Sequence, residues 1–349
     1  MLKKFLLAMT LFGGTSSAYA ETSLELPDWL FLSGHAGLLF SETHSSRGSF
    51  TIEEASLKIY SGLRFDLGAF VLGANYDIWF LNNLGRGNAG NEEEWLSAYI
   101  GSGPVSLTYG QVKDAVEYRS HRMFDRHFDI PWVQDTSAAS DYDDFRLDFE
   151  PIDGSSFPFA MSIGYEDDIA FGTSTKTKTV SLSGDTDRFE WIASYARNEF
   201  TNVGFQQIRN TLSFEFIYPV ADGEFYGTIA RSNFDSFLSF NTTKSFENSI
   251  LVGYKHQFTN KLSAKATLSI RDQHATSVFS PTRSTNTDQT LVDTAIELRY
   301  HVAPNAEIFA RLQYFDNSIS SVSISPTGTS ESKNKTHSRS FWFGAEYRF

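Results

Sequence analysis

Along much of this chain, apolar and polar residues change places at every step. Over residues 70–78, Phe70, Leu72, Ala74, Tyr76 and Ile78 share one parity, and Gly73, Asn75 and Asp77 share the other. A period of two belongs to an extended strand, whose successive side chains point to opposite faces. Residues 262–271 set Leu262, Ala264, Ala266, Leu268 and Ile270 against Ser263, Lys265, Thr267, Ser269 and Arg271. Over 292–302, Val292, Ile296, Leu298, Tyr300 and Val302 oppose Asp293, Glu297, Arg299 and His301, and the closing segment sets Phe341, Phe343, Ala345, Tyr347 and Phe349 against Ser340, Glu346 and Arg348. Similar alternation marks 30–40, 55–65, 96–100, 105–109, 145–149, 157–165, 179–182, 189–195, 208–218, 225–230, 250–258 and 306–314, faintest around Val180 and Phe225.

The connections between these segments fall into two classes. Turn-forming residues cluster at 65–68, 101–104, 151–154, 184–187, 220–223, 259–261 and 303–305. Longer polar stretches lie at 42–49, 82–92, 113–141, 167–177, 198–206, 236–245, 272–289 and 317–337 and read as loops. Short and long connections in strict rotation predict about 16 antiparallel strands, with tight turns at one rim and long loops at the other. A soluble sandwich also alternates, but its connections keep no such rhythm and its apolar faces must pair into a core. The prediction is an all-β, up-and-down transmembrane barrel, because strands in hydrocarbon must pair every backbone group and leave no open edge. Tyr218, Tyr300 and Tyr347, on apolar faces near the short-turn rim, fit an interfacial aromatic girdle.

Composition agrees. Aromatic residues make up 15% of the chain, with 32 Phe, yet the mean hydropathy is only −0.28. No apolar stretch is long enough for a helical span once the first residues are set aside. Those residues place Lys3 and Lys4 before an apolar run from Phe5 to Phe12 and then Ala18-Tyr19-Ala20, the pattern of a secretory signal. Residues 1–20 are therefore expected to be removed, leaving 21–349 as one barrel domain in the outer membrane. The formal charge of −13 opposes binding to nucleic acid, and the absence of cysteine removes disulfides, thiol nucleophiles and thiolate metal sites.

At this point the chain resembles the general bacterial porins over nearly all of its expected mature length. The resemblance is carried by the leader, the even strand count, the aromatic closing strand and a longest loop after the fifth strand. It implies that Phe341, Phe343, Tyr347 and Phe349 form the signal read by the barrel-assembly machinery, that the third long loop folds into the lumen, and that the protein is a homotrimer. The loop departs from the acidic tip of enterobacterial members.

That loop, 113–141, carries Lys113, Asp114, Glu117, Arg119, Arg122, Asp125, Arg126 and Asp129, four cations against four carboxylates, interleaved with Tyr118, Met123, Phe124, Phe128 and Trp132. Paired charges across a water-filled gap set solute preference through their field. A loop resting on the outer rim, against a neighbouring subunit or lipopolysaccharide, is the other reading. The strands' polar faces add Lys58, Arg146, Arg209, Lys255, Lys265, Arg271, Arg299 and Arg311, with Glu54, Asp77, Asp148, Glu215, Glu247, Glu297 and Glu307. Among these wall residues Glu54, Lys58, Asp77, Arg146, Lys265, Arg299 and Arg311 are singled out, and the resemblance implies that Lys58 faces the inward loop. Gly34, Ala36 and Gly37 offer a small-residue surface for subunit packing.

No catalytic motif stands out. Ser330-x-x-Lys333 lies in a polar stretch where chance explains it, and His121 and His127 are six apart without further ligands. The reading is a passive porin for small hydrophilic solutes, weakly cation-preferring, without cofactor or metal, surrounded by outer-membrane lipid and lipopolysaccharide. The alternatives are a channel selective for a sugar or small anion, an adhesive barrel with a blocked lumen, and an outer-membrane hydrolase.

Overall fold

The computed structural model describes residues 27–45, 48–83, 91–112, 115, 143–151, 159–170, 172–186, 189–238 and 241–349. They form sixteen strands: β1 (Leu30–Ser45), β2 (Gly48–Asp66), β3 (Val71–Asn83), β4 (Asn91–Ser102), β5 (Val105–Val112), β6 (Asp143–Phe149), β7 (Phe159–Ala170), β8 (Thr173–Asp185), β9 (Glu190–Asn202), β10 (Phe205–Val220), β11 (Gly223–Leu238), β12 (Asn241–Thr259), β13 (Leu262–Ser280), β14 (Arg283–Ala303), β15 (Ala306–Ser325) and β16 (Gly328–Arg348). Each strand pairs antiparallel with its sequence neighbours, and β1 pairs with β16 to close a barrel. The seam runs from His35 opposite Arg348 to Ser45 opposite Ser338, and Phe349 exchanges two backbone hydrogen bonds of 2.9 Å with Gly34. Closure leaves no unpaired edge, which is what a sheet in hydrocarbon requires.

Six of the seven predicted short turns fall in brief connections between strands; the seventh, at 151–154, lies beyond Pro151 outside the described residues. In the first, Gly68 adopts φ +78° while its N–H donates to Asp66 Oδ1 at 3.0 Å, and Gly103 adopts φ +56° in the second. The opposite rim differs from expectation. Of the eight polar stretches read as loops, only those interrupting the strands at 84–90 and 113–142 are long. At 42–49, 167–177, 198–206, 236–245, 272–289 and 317–337 the strands continue and are separated by two residues. Beyond the bilayer both faces of a strand meet water, so the ladder persists without an apolar face. Hydroxyl pairs such as Thr287 with Ser321 (3.1 Å) and Thr285 with Ser323 (3.0 Å) link these polar rungs. β14 and β16, 21 residues each, run about 70 Å along the strand, whereas about 9 to 11 tilted residues cross the hydrocarbon.

The barrel inverts the polarity of a soluble protein. Glu297 and Arg311 are partners across β14 and β15 and only 2% and 1% exposed; the preceding rung, Ile296 opposite Leu312, is 60% and 62% exposed. Carboxylate and guanidinium are covered while aliphatic side chains stand open, an arrangement stable only if the outside is apolar. Near the short-turn rim the outward face carries Tyr218 and Tyr300, joined by Phe225, tilted against Tyr254 with centroids 4.6 Å apart, and by His256 edge-on to Phe258.

The small residues of β1 do not form the expected external surface. Gly37 pairs with Glu346 and so belongs to the inner face, and a Cβ on Gly34 would lie 2.7 Å from the Phe349 ring. The room at Gly34 is used to seat the chain's own last residue. Only Ala36 of the three remains on the outer face without such a neighbour among the described contacts.

Candidate functional site: the polar lumen

The inner face follows from register, since directly paired residues share a side of the sheet. It includes every wall residue singled out from the sequence. Glu54 and Lys58 lie on β2, opposite Asn83 and Trp79, and Asp77 on β3 opposite Tyr60. Arg146 lies on β6 opposite Thr108, Lys265 opposite Glu297, Arg299 opposite Phe309, and Arg311 opposite Glu297. The predicted loop residues Lys113, Asp114, Glu117, Arg119, Arg122, Asp125, Arg126 and Asp129 lie outside the described residues. One residue of that segment is described. Ala115 is fully buried, and its N–H donates to Thr179 Oγ1 at 3.2 Å, on the inner face of β8.

Three groups of charges line the wall. On β14 to β16, Arg311 donates through Nη2 to Glu297 Oε2 at 2.6 Å and through Nε at 3.0 Å. Arg299 donates to the other oxygen of Glu297 at 2.8 Å and to Glu307 at 2.5 Å, and Glu346 lies 4.0 Å from it. The long arginines thus bridge carboxylates two positions apart along a strand or directly across from them, distances that the pleat fixes near 7 Å and 5 Å. Across the barrel, Arg146 Nε sits 2.9 Å from both oxygens of Asp148, which also accepts from Ser162 Oγ at 2.6 Å. On β12 and β13, Arg271 stands 3.6 Å from Glu247. Cations and carboxylates are held in near balance and in fixed geometry, so the field they produce is ordered rather than averaged away.

Aromatic rings interrupt this polar wall. Trp79 and Trp95 stack with centroids 6.4 Å apart, and Lys58 Nζ lies 4.1 Å over the Trp79 ring. Lys265 lies 4.8 Å over Tyr226, and Leu39, Phe309 and Trp342 form a small apolar cluster with Ile52. Gly344 makes room for it, because a Cβ there would meet the Phe309 ring at 2.4 Å. These rings, with Asp293 and Glu346, were missing from the sequence-derived set of wall residues. Asp293 and Glu346 sat on the polar parity and were there to be found. Trp79 was not, since Ile78, Trp79, Phe80 and Leu81 are apolar on both faces and only its pairing with Lys58 orients it. Among the described residues no group of three or more His, Cys, Asp or Glu side chains could hold a metal ion.

A closed barrel with a covered, charged interior and an exposed apolar exterior is also the architecture of known proteins. An anion-selective porin from Comamonas acidovorans superposes with a TM-score of 0.65 at 11% identity, covering 92% of this chain and 99% of that one. The fold is that of a porin-type outer-membrane barrel. The trimer form of OmpT, an outer-membrane protein of Vibrio cholerae, gives a TM-score of 0.61 at 12% identity over 92% of this chain and all of its own. Salmonella typhi OmpF, in complex with daunomycin, gives 0.58 at 12% identity over 92% and 97%. No family model and no curated protein matches the sequence.

Proposed function

We propose that this porin-type barrel is a passive diffusion channel of the outer membrane, admitting small hydrophilic solutes and ions with a weak preference for cations. It performs no bond chemistry and needs no cofactor. The proposal includes export by a cleaved leader at 1–20, insertion by the barrel-assembly machinery through the Phe341, Phe343, Tyr347 and Phe349 signal, and a homotrimer embedded in lipid and lipopolysaccharide. The observation that carries it is the wall. Ordered ion pairs face inward around the barrel, and the chain leaving β5 turns in far enough for Ala115 to reach Thr179. A segment entering the lumen narrows it, and a charged wall keeps the remaining gap hydrated. The net charge of −13 supports the cation preference, and the near balance of the wall keeps it weak.

Swelling of liposomes holding the refolded protein tests this directly. Small sugars should enter at rates that fall with solute size, and absence of swelling with a folded barrel contradicts it. A channel selective for sugars is the second reading, favoured by the Trp79–Trp95 stack beside Lys58, because a flat sugar face packs well on an indole. Block of ion current by one sugar at low concentration would distinguish it.

A further inference from the structure

The outward face of each strand turns polar at a definite residue above the apolar band, and the sign of that residue differs around the barrel. On β8 the change falls from Val180 to Lys178, on β9 from Tyr195 to Arg197, and on β11 from Ile229 to Arg231. On β1, β2 and β4 the same place is taken by Glu42, Glu53 and Glu94. Arg339 is the basic residue on β16, and Asp272 the acidic one on β13. The β8 to β11 side is therefore a basic sector at the level where hydrocarbon gives way to headgroups.

Within this sector Lys178 and Arg197 are direct cross-strand partners. Like charges placed so are destabilising unless an anion lies between them. The nearby carboxylates do not fill that role. Glu199 engages Arg197 through Nε at 2.5 Å, Tyr195 adds a hydrogen bond to the same side chain, and Asp167 is taken by Lys176 at 3.3 Å and by the Tyr165 hydroxyl at 3.0 Å. Lys178 is exposed and makes no ion pair among the described residues. Asn210, beside Arg197 on β10, accepts from the Tyr195 hydroxyl at 3.0 Å and keeps its amide nitrogen as a donor. Arg231 follows one strand further, exposed, with its guanidinium 6.0 Å from the Phe246 ring.

We infer that Lys178, Arg197 and Arg231, with the Asn210 amide, bind the phosphate groups of a phosphorylated outer-leaflet lipid whose acyl chains lie against Val180, Leu182 and Ile229. Guanidinium and ammonium groups in a cluster match phosphate oxygens in charge and geometry. A lipid is the occupant because the patch adjoins exposed apolar wall directly, so a phosphate at this height is joined to chains that cover Val180 and Ile229. The inference deepens the lipid contact included above. It rests on the barrel's place in the outer membrane and not on conduction.

The full chain, refolded in detergent and exchanged into phosphatidylcholine vesicles with or without lipopolysaccharide, is re-extracted, and phosphorylated glycolipid per barrel is measured by native mass spectrometry. Wild type should retain it. Lys178→Gln and Arg231→Gln, both at exposed positions, should each lower retention about fivefold, and the triple variant with Arg197→Gln should abolish it. Lys178→Arg should retain it. Lys244→Gln, Lys333→Gln and Lys335→Gln together remove the same charge higher on the outer face and should leave retention unchanged. Equal losses in the two triple variants would reduce the effect to net charge and overturn the inference, as would no loss in either. Complete displacement by millimolar inorganic phosphate would assign the patch to free phosphate instead. Unaltered conductance in every variant separates this test from that of the channel.

Discussion

Glu297 and Arg311 face each other across β14 and β15, 2.6 Å apart and almost wholly covered, in a wall whose other side is bare aliphatic carbon. Arg299 holds the second oxygen of the same carboxylate, so two guanidiniums share one Glu. Breaking a buried pair leaves an uncompensated charge, whereas replacing both members by apolar groups of similar size is close to neutral. Arg311→Met should destabilise the folded barrel by roughly 3 kcal/mol. Glu297→Leu with Arg311→Met should recover most of that loss. Urea titration of the refolded protein in lipid vesicles reads both.

One residue away the sign of the effect reverses. Ile296 points outward at 60% exposure, so a cation there enters hydrocarbon. Ile296→Arg should cost about 2 to 4 kcal/mol in a bilayer, with a much smaller effect in detergent, where the chain can draw in water. An equal cost in both media would place Ile296 away from the lipid.

The closing seam depends on Gly34. A Cβ there would stand 2.4 Å from the carbonyl oxygen of Lys58 and 2.7 Å from the Phe349 ring. Gly34→Ala should therefore lower stability by about 1 to 3 kcal/mol, seen as loss of the heat-resistant folded band on gels. Adding Phe349→Ala should restore it only in part, because the backbone oxygen stays where it is.

Most of this architecture was legible because lipid imposes a period of two. Where one face of a strand meets hydrocarbon, as at Leu262 to Ile270, sequence and structure agree residue for residue. Even the faint segments near Val180 and Phe225 are strands, β8 and β11. The reading failed where lipid ends. Residues 317–337 look like a loop because Ser318, Ser320, Ser321, Ser323 and Ser325 give both faces the same polarity, yet their backbone groups still pair across β15 and β16. The wall charges were legible for the same reason as the strands. Their pairing was not, since Arg299 reaches carboxylates on β14, β15 and β16 that are close only once the barrel has closed. Trp79 was hidden by apolar neighbours on both parities, and the position of Ala115 rests on its contact with Thr179, 64 residues away.

Lys58 stands over Trp79 on the inner face and contributes positive charge to the lumen. Lys58→Gln should shift the reversal potential in a salt gradient toward greater cation preference without changing the folded fraction. An unchanged potential would place Lys58 outside the path of the ions.

The most direct test of the central claim is the current carried by the purified, refolded chain in a planar lipid bilayer. The account predicts discrete upward steps of conductance that scale with salt concentration, as a hydrated, charge-lined lumen requires. A folded barrel that inserts and gives no steps would contradict it.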